Sequence, residues 1–339
     1  MNFKKVNVFI TIDVETSIGG AFRNSDLRPV GAERRIFGKI GNSYYGIPLI
    51  IDILNAHQLK ATFFVEVFNT FYFGEEDMRA VCEYILKRGH DVQLHLHPNY
   101  LSFKLWDGKT PIKKVFSDNI SDYSISKQIR LINDGKKILE RLTGHKPVAF
   151  RAGNFGANND TLLALSKNEI FLDSSYNAAF IHNPNEINLK TEINNLHRIG
   201  DVLELPITNF MEFSFFDFGR LKPLDICGVS YNEMRKLFKK SLYSIPQMIV
   251  LILHSFSFIL TRDVQYNNVR PNKVIISRFM KLCSFIKKYS DNFITHTFSD
   301  IHNDLKKYGL NQDSQHIFSR IGIFRSSIRK LIQATNCLF

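Results

Sequence analysis

The sequence predicts an α/β protein built as an irregular (β/α) barrel of about seven or eight parallel strands. Its apolar runs are rich in Val, Ile and Phe and mostly continuous, which is typical of strands buried on both faces. Helical patterns lie between many of these runs, and that alternation indicates a parallel sheet. Several runs also end in side chains that bind metal or move protons, as strands do at the carboxyl end of a barrel.

The predicted elements follow one another along the chain. The strand-like runs are Val6–Ile12, Ala61–Val67, Asp91–His95, Val148–Arg151, Ile170–Asp173, Val202–Leu205, Met248–His254 and Phe293–Thr297. The helical patterns are Ile47–Ala56, Glu75–Lys87, Ser126–Leu142, Asn159–Lys167, Tyr231–Leu242 and Lys273–Lys288. Two long polar segments, Thr16–Tyr44 and Asn99–Tyr123, each follow a strand end that bears acids or histidines. We expect both segments to wall a cleft and to shape its substrate.

Length and charge predict one large domain with a separate tail. The 339 residues, 44% hydrophobic and 22% charged, suffice for a large core, and we expect a catalytic barrel over residues 1–305. Residues 306–339 hold six bases against one acid, which is +5 of the formal net charge of +12. Such a balance matches nucleic acid, an anionic membrane or an anionic substrate. Of these we expect peripheral membrane contact and no nucleic-acid partner.

The tail pattern predicts a basic amphipathic helix in a membrane interface. Its apolar positions at helical spacing are Ile317, Ile321, Phe324, Ile328, Leu331 and Ile332. Its bases are Lys306, Lys307, Arg320, Arg325, Arg329 and Lys330. The alternative is a helix that packs on the barrel through its apolar face.

Cysteine spacing and apolar run lengths favour a cytoplasmic protein, with peripheral contact at the inner membrane surface. Cys82, Cys227, Cys283 and Cys337 are widely spaced and form no CxxC pair, so we expect reduced thiols. The first apolar stretch is too short for a signal peptide. The longest apolar runs fall short of the ~20 residues that span a bilayer.

Two strand ends carry paired residues suited to a metal site. Asp13 and Glu15 are two apart, so on an extended strand both side chains point the same way. His95 and His97 have the same spacing, whereas His90 lies before the strand. Two imidazoles and one carboxylate match a catalytic zinc site. The alternatives are solvated acids and packed histidines.

Two further strand ends carry residues that need partners. Arg151 at a buried strand end is costly unless paired, and Asp13 is an available carboxylate. His254 follows VLIL and is either a core histidine or a general acid. In the second case Asp173 would hold its tautomer and raise its pKa.

Taken in order, these segments resemble the polysaccharide deacetylases, carbohydrate esterase family 4 with its NodB-type domain, over roughly residues 5–300. The resemblance rests on TIDVE at 11–15, ATFFV at 61–65, GHDVQLHLHP at 89–98, FRAGNFG at 150–156, DSS at 173–175, LELP at 203–206 and ILHSF at 252–256. It implies a NodB-type deacetylase barrel and metal-dependent removal of an N- or O-acetyl group from a sugar.

The resemblance also implies a role for each site residue. Asp13 matches the catalytic base, and Arg151 matches the residue that positions it. The backbone near Asn154–Phe155 would supply an oxyanion donor. His254 matches the general acid, with Asp173 as its partner.

Two departures from the family pattern concern the metal ligands. The adjacent Asp-Asp pair is absent because Val14 takes the second place, so the metal role passes to Glu15. The second motif has Asn99 where a second histidine is usual, and His97 is the natural substitute. The predicted metal ligands are therefore Glu15, His95 and His97, and the predicted cofactor is a divalent ion, zinc in the first place.

The expected substrate is an acetylated sugar, as a polymer or linked to a lipid or nucleotide, in the assembly of a surface polysaccharide or glycolipid. Two alternatives stay open. One is a hydrolase of a non-sugar amide or imide on the same fold. The other is an inactive relative that binds sugar without metal.

Overall fold

A computed structural model defines the fold. It describes residues 5–109, 111–180, 187, 194–212, 220–243, 248–304 and 318–321. Its main sheet contains eight parallel strands, and the predicted irregular barrel is confirmed. These strands are β1 (Val6–Val14), β2 (Thr62–Glu66), β3 (Asp91–Leu96), β4 (Ala149–Ala152), β5 (Leu172–Asp173), β6 (Val202–Glu204), β7 (Met248–His254) and β8 (Phe293–Thr295).

The sheet runs in the order β7-β1-β2-β3-β4-β5-β6, and β8 pairs with the first residues of β1. A short antiparallel strand, His197–Ile199, pairs with β6. Irregular backbone covers the free edge of β7. The Thr208 amide donates to the Val250 carbonyl at 3.1 Å, and the Ile226 amide donates to the Ile252 carbonyl at 3.1 Å. Among the described residues, hydrogen-bonded loops take the place of a regular strand at this edge, and the barrel is therefore irregular.

Ten α-helices are described. They are α1 (Ala32–Arg35), α2 (Ile47–Ala56), α3 (Thr70–Phe73), α4 (Glu76–Leu86), α5 (Leu101–Lys104), α6 (Ile125–Thr143), α7 (Asn159–Lys167), α8 (Tyr231–Ser241), α9 (Lys273–Lys288) and α10 (Phe298–Asp304). Short 3₁₀ turns cover Pro98–Tyr100, Ile120–Asp122, Gly153–Phe155 and Ala178–Phe180. Local sequence fixes several ends: Asn158 and Ser230 form capping boxes, and Gly144 ends α6 in the left-handed conformation.

Small sheets decorate the barrel. Lys39–Ile40 pairs with Ser43–Tyr44, and Ile259–Thr261 pairs with Val269–Pro271. A third sheet joins Asn209–Glu212 to Arg220–Pro223 and to Phe318–Ile321.

The third sheet corrects the predicted tail helix, because Phe318–Ile321 is an extended strand. The remainder of that helix lies outside the described residues, as does Cys337. The other three cysteines are free thiols. Across the part of the chain that is described, no helix combines the length and the apolarity needed to cross a bilayer.

The two faces of the main sheet bury different side chains. The inner face holds Phe9, Phe64, Leu172, Leu203, Val250 and Ile252, whereas the outer face packs against the helices. Strand register carries this division to the strand ends: Asp13 lies beside His254 and Phe64, and His95 lies beside Arg151. Because side chains alternate along a strand, these polar residues point into the same side as the inner core.

Candidate active site

The inner face carries a buried ion pair at the ends of β1 and β4. Arg151 Nη1 donates to Asp13 Oδ1 at 2.6 Å, and both side chains are almost completely buried. The remaining guanidinium nitrogens are also satisfied, because Nε donates to the Ser174 carbonyl at 3.1 Å and Nη2 to its hydroxyl at 3.0 Å. The guanidinium also lies 4.3 Å from the centre of the Phe64 ring. Buried charges need such complete pairing, and it fixes the Asp13 carboxylate in one orientation.

Next to this pair, three side chains converge on one point. Glu15 Oε1 lies 3.2 Å from His95 Nε2 and 3.4 Å from His97 Nε2. The other nitrogen of each ring is also held: His95 Nδ1 lies 2.8 Å from the Arg151 carbonyl, and His97 Nδ1 lies 3.0 Å from Asp118 Oδ1. The structure therefore brings together the three predicted metal ligands.

These contacts decide which atoms point at the shared space. A carbonyl only accepts hydrogen bonds, so Nδ1 of His95 must carry the hydrogen, and in a neutral ring its Nε2 is a bare acceptor. The Asp118 carboxylate imposes the same tautomer on His97. With both rings neutral, two bare nitrogens face a carboxylate oxygen, and such a set of acceptors suits a cation.

The spacing suits a divalent metal. Two ligand atoms about 2.1 Å from a tetrahedral zinc ion are about 3.4 Å apart, close to the two separations above. Without an ion, Glu15 and Asp118 hold the pKa of His97 well above its usual value although burial opposes the imidazolium, so a bound metal ion would replace a proton on this ring. Burial likewise favours neutral Glu15, yet His97 and His95 hold its pKa well below the usual value.

His254 completes the inner cluster at the end of β7. Its Nε2 lies 4.0 Å from Asp13 Oδ2 and 3.9 Å from Glu15 Oε1, and its side chain is 31% exposed. Asp13, Glu15 and His254 form a second group that could hold a metal. We favour Glu15, His95 and His97, because the Asp13 charge is already engaged by Arg151.

The prediction that Asp173 approaches His254 is wrong. Asp173 lies beside Phe150 and Glu204 in register, and Phe150 belongs to the outer core. Its neighbour Leu172 fills the inner face, so Asp173 points away from the cleft. Its Oδ1 accepts from the Ser175 hydroxyl at 2.7 Å.

Asp225 is a further carboxylate that interacts electrostatically with His254. It forms an isolated parallel bridge with Ile252, two residues before His254. Burial raises the pKa of Asp225, and attraction to His254 opposes that rise. The sequence holds only a weak signal for this residue, a single acid inside the short apolar stretch LDIC.

The sequence analysis did not identify three further charged residues near the cluster, which are Asp118, Arg35 and Glu66. Asp118 lies within the polar segment that follows β3 and also accepts from Asn154 Nδ2 at 2.8 Å. Arg35 places Nη2 3.6 Å from Glu15 Oε2 and its guanidinium 3.6 Å from the centre of the Phe256 ring.

Glu66 ends β2 on the inner face, and burial raises its pKa to about 8 despite the nearby His97. The Phe68 and Asn69 amides donate to its two carboxyl oxygens at 2.6 and 2.8 Å. The sequence signal that could have identified Glu66 is its position as an acid at the end of the apolar run ATFFVE.

The backbone after Arg151 is strained. Asn154 and Phe155 have φ of 54° and 56°, a left-handed conformation that is uncommon outside glycine and that clusters at functional sites. Gly153 lies against His97, where an added Cβ would be 2.7 Å from the imidazole Cε1. The segment therefore lies at the cleft wall, close to where the family pattern expects an oxyanion donor.

An α/β barrel with a candidate metal centre at the carboxyl ends of its strands is the class that fold and site define. Residues 45–170 match the model of the family described as polysaccharide deacetylase. The resemblance to that family, drawn from the ordered motifs, is confirmed by this match. The search of curated proteins gives no match.

Solved structures with related folds come from bacteria. A protein from Mycobacterium smegmatis assigned as a polysaccharide deacetylase has 16% identity and a TM-score of 0.53, over 95% of this chain and 96% of that one. BA3943, a CE4 family pseudoenzyme from Bacillus anthracis, has 11% identity and a TM-score of 0.44, over 87% and 65%. The peptidoglycan deacetylase PdaC from Bacillus subtilis has 13% identity and a TM-score of 0.41, over 90% and 93%. The first of these likenesses supports the fold.

Proposed function

We propose that the protein is a metal-dependent hydrolase that removes an acetyl group from an N-acetylated or O-acetylated sugar. Its role would be in the assembly of a surface polysaccharide or glycolipid. One observation carries the proposal: Glu15 Oε1 and the Nε2 atoms of His95 and His97 converge beside a carboxylate that Arg151 holds in place. The family match supports the reaction class.

Glu15, His95 and His97 would hold the divalent ion, with zinc in the first place. When bound, the ion supplies positive charge that polarises the acetyl carbonyl. The two imidazoles donate hydrogen bonds from Nδ1 to the Arg151 carbonyl and to the Asp118 carboxylate, which keep each ring in its ligating tautomer.

Asp13 is proposed as the general base. Its Oδ1 is engaged by Arg151, which leaves Oδ2 facing His254 and the cleft. From there it would take a proton from the water whose oxygen forms a new bond with the acetyl carbonyl carbon. Because Arg151 holds the carboxylate in one orientation, the base is positioned before the substrate binds.

His254 is proposed as the general acid. Protonated at Nε2, it would pass that proton to the sugar nitrogen, or to oxygen in an ester, as the bond to the acetyl carbon breaks. The products are acetate and the free amine or hydroxyl. Asp225, which interacts electrostatically with His254, would be the partner of this ring. Backbone amides near Asn154–Phe155 would donate hydrogen bonds to the carbonyl oxygen as it gains negative charge.

Acetate release tests this function. The full chain, loaded with zinc, is given N-acetylated and O-acetylated sugars as polymers, nucleotide conjugates and lipid conjugates. We expect release from at least one of them, and a loss of about 10³-fold in Asp13→Asn with bound metal unchanged. Hydrolysis of a non-sugar amide in place of these sugars would contradict the proposal, as would sugar binding without metal and without turnover.

A further inference from the structure

The loop that follows β3 forms part of the rim of the cleft. We call Leu101–Lys109 and Pro111–Phe116 the mouth loop. The strand before it carries His95, and Asp118 just after it binds His97 at 3.0 Å. Both ends of the mouth loop are therefore tied to the candidate metal centre.

The tip of the mouth loop exposes two large apolar side chains. Leu105 is 65% exposed and Val115 is 62% exposed. The Val115 and Phe116 amides donate to the Ser102 hydroxyl at 3.1 and 3.3 Å, which joins the second arm of the loop to the helical turn that ends beside Leu105. Large apolar side chains grouped in this way mark an interaction surface more often than chance exposure.

Aromatic and cationic side chains pack against Trp106, which follows Leu105 in this loop. Trp106, which is half-buried, stacks on Tyr72 with ring centres 5.9 Å apart and planes 22° apart. Arg28 lies 5.7 Å from the centre of the Trp106 ring. Tryptophan beside cationic side chains is the composition found where proteins meet the headgroup region of a bilayer.

The charge of the mouth loop is positive. Four exposed lysines belong to it, Lys104, Lys109, Lys113 and Lys114, against the single acid Asp107. Among the described residues, none of these lysines has an ion-pair partner within 4.0 Å. Lys104 lies 5.2 Å from the centre of the Phe71 ring, and Lys114 interacts electrostatically with Asp118. A loop with exposed apolar side chains and an excess of exposed lysines complements an anionic lipid surface, where apolar burial and electrostatic attraction add together.

We propose that the mouth loop docks on an anionic lipid membrane, with Leu105 and Val115 inserted and the lysines on the headgroups. The cleft would then open toward the bilayer. If the proposed deacetylase function holds, the docked orientation favours an acetylated sugar carried on a lipid over a soluble one. The docking itself does not depend on that activity.

Two other basic regions are competing membrane contacts. One is the tail from residue 306 onward. The other is a cavity of about 480 Å³ between α8 and α9, whose lining includes Arg235, Lys239, Lys281 and Lys288. Lys281 and Lys288 therefore supply a matched control for two lysines of the mouth loop, with the same loss of charge.

The test is sedimentation of the full chain with vesicles of phosphatidylcholine alone or mixed with phosphatidylglycerol. We expect salt-sensitive binding only to the anionic vesicles. Leu105→Ser with Val115→Ser should weaken partitioning at least tenfold. Lys113→Gln with Lys114→Gln should weaken it about fivefold per lysine. Lys281→Gln with Lys288→Gln, and truncation after Leu305, should each change it less than twofold. Thermal melting confirms that each variant is folded.

Three results would overturn the proposal. They are absent binding by the full chain, unchanged binding by the Leu105 and Val115 variant, and loss of binding in the α9 control or the truncated chain. The vesicles contain no acetylated sugar, so a failure of the proposed function would leave these results unaffected.

Discussion

Two pairs of buried carboxyl groups end strands of the same sheet but face opposite sides of it. Asp13 and Glu15 lie on the inner face, where Arg151, His95 and His97 surround them. Asp173 and Glu204 lie side by side in register on the outer face, both fully buried. The pKa directions are opposite: that of Glu15 is held well below its usual value, whereas burial raises that of Asp173 and raises that of Glu204 well above it.

The comparison shows that burial at a strand end does not by itself make a ligand or a base. Burial alone favours the neutral acid, whereas nearby cationic groups and donated hydrogen bonds favour the carboxylate. Among the described residues, the inner pair contacts cationic groups and the outer pair does not. For these two pairs, the face of the sheet therefore separates the candidate catalytic groups from the structural ones.

The largest expected difference lies between two matched substitutions. Asp13→Asn should lower the rate of acetate release by about 10³-fold, because it removes the proposed base. Asp173→Asn should keep the rate within about threefold of wild type, since this side chain faces away from the cleft. Steady-state rates on the same acetylated sugar measure both. A comparable loss in the two variants would break the contrast between the faces.

A smaller effect is expected from crowding the inner cluster without changing any charge. Gly153→Ala would put a Cβ 2.7 Å from the His97 ring and from the Leu96 carbonyl, so we expect a shift that disturbs the contact between His97 and Asp118. Loss of such a supporting contact weakens metal binding about 10- to 100-fold. Zinc titration by calorimetry gives the affinity.

The matched control for Gly153→Ala is Gly228→Ala, where the nearest atom would lie 3.5 Å from the added Cβ. Its zinc affinity should equal that of wild type. Unchanged affinity in Gly153→Ala would mean that His97 needs no fixed position and would remove it from the ligand set.

The smallest effect extends the comparison to histidines. His90 is buried beside Phe63, neither ring nitrogen has a hydrogen-bond partner among the described residues, and burial lowers its pKa to about 4. As the pH falls through 6.5, His90 binds a proton in the unfolded chain but not in the folded chain. The free energy of unfolding is therefore largest above that pH and declines toward pH 4.

When the pH is lowered from 7 to 5, this histidine should reduce the free energy of unfolding by about 2 kcal/mol. Urea unfolding of wild type and His90→Leu at both pH values measures the difference. The variant should lose about 2 kcal/mol less than wild type over this interval. Equal losses would show that His90 finds a partner or water in solution.

The sequence predicted the fold well because long apolar periodicities determine it. The eight parallel strands all fall within or beside the predicted runs, and α2, α7 and α9 have the predicted bounds. The spacing of two residues likewise predicted that Asp13 and Glu15 share a face, as do His95 and His97, since alternation along a strand is a local property.

The remaining site residues depend on register and on loops, which local patterns do not encode. β5 is only two residues long, so nothing in its own sequence tells which face Asp173 occupies. Asp225 reaches the inner side through an isolated bridge in the irregular edge, and Asp118 arrives from a polar segment without periodicity. The strand at Phe318–Ile321 is set by its pairing with Asn209–Glu212, a contact distant in sequence.

Metal content is the most direct test of the contrast between the two faces. Wild type, Glu15→Gln and Asp173→Asn, purified without chelator and supplied with zinc, are compared by elemental analysis after gel filtration. We expect about one zinc ion per chain in wild type and in Asp173→Asn, and almost none in Glu15→Gln. Zinc retained in Glu15→Gln, or lost only in Asp173→Asn, would contradict the assignment of the metal centre to the inner face.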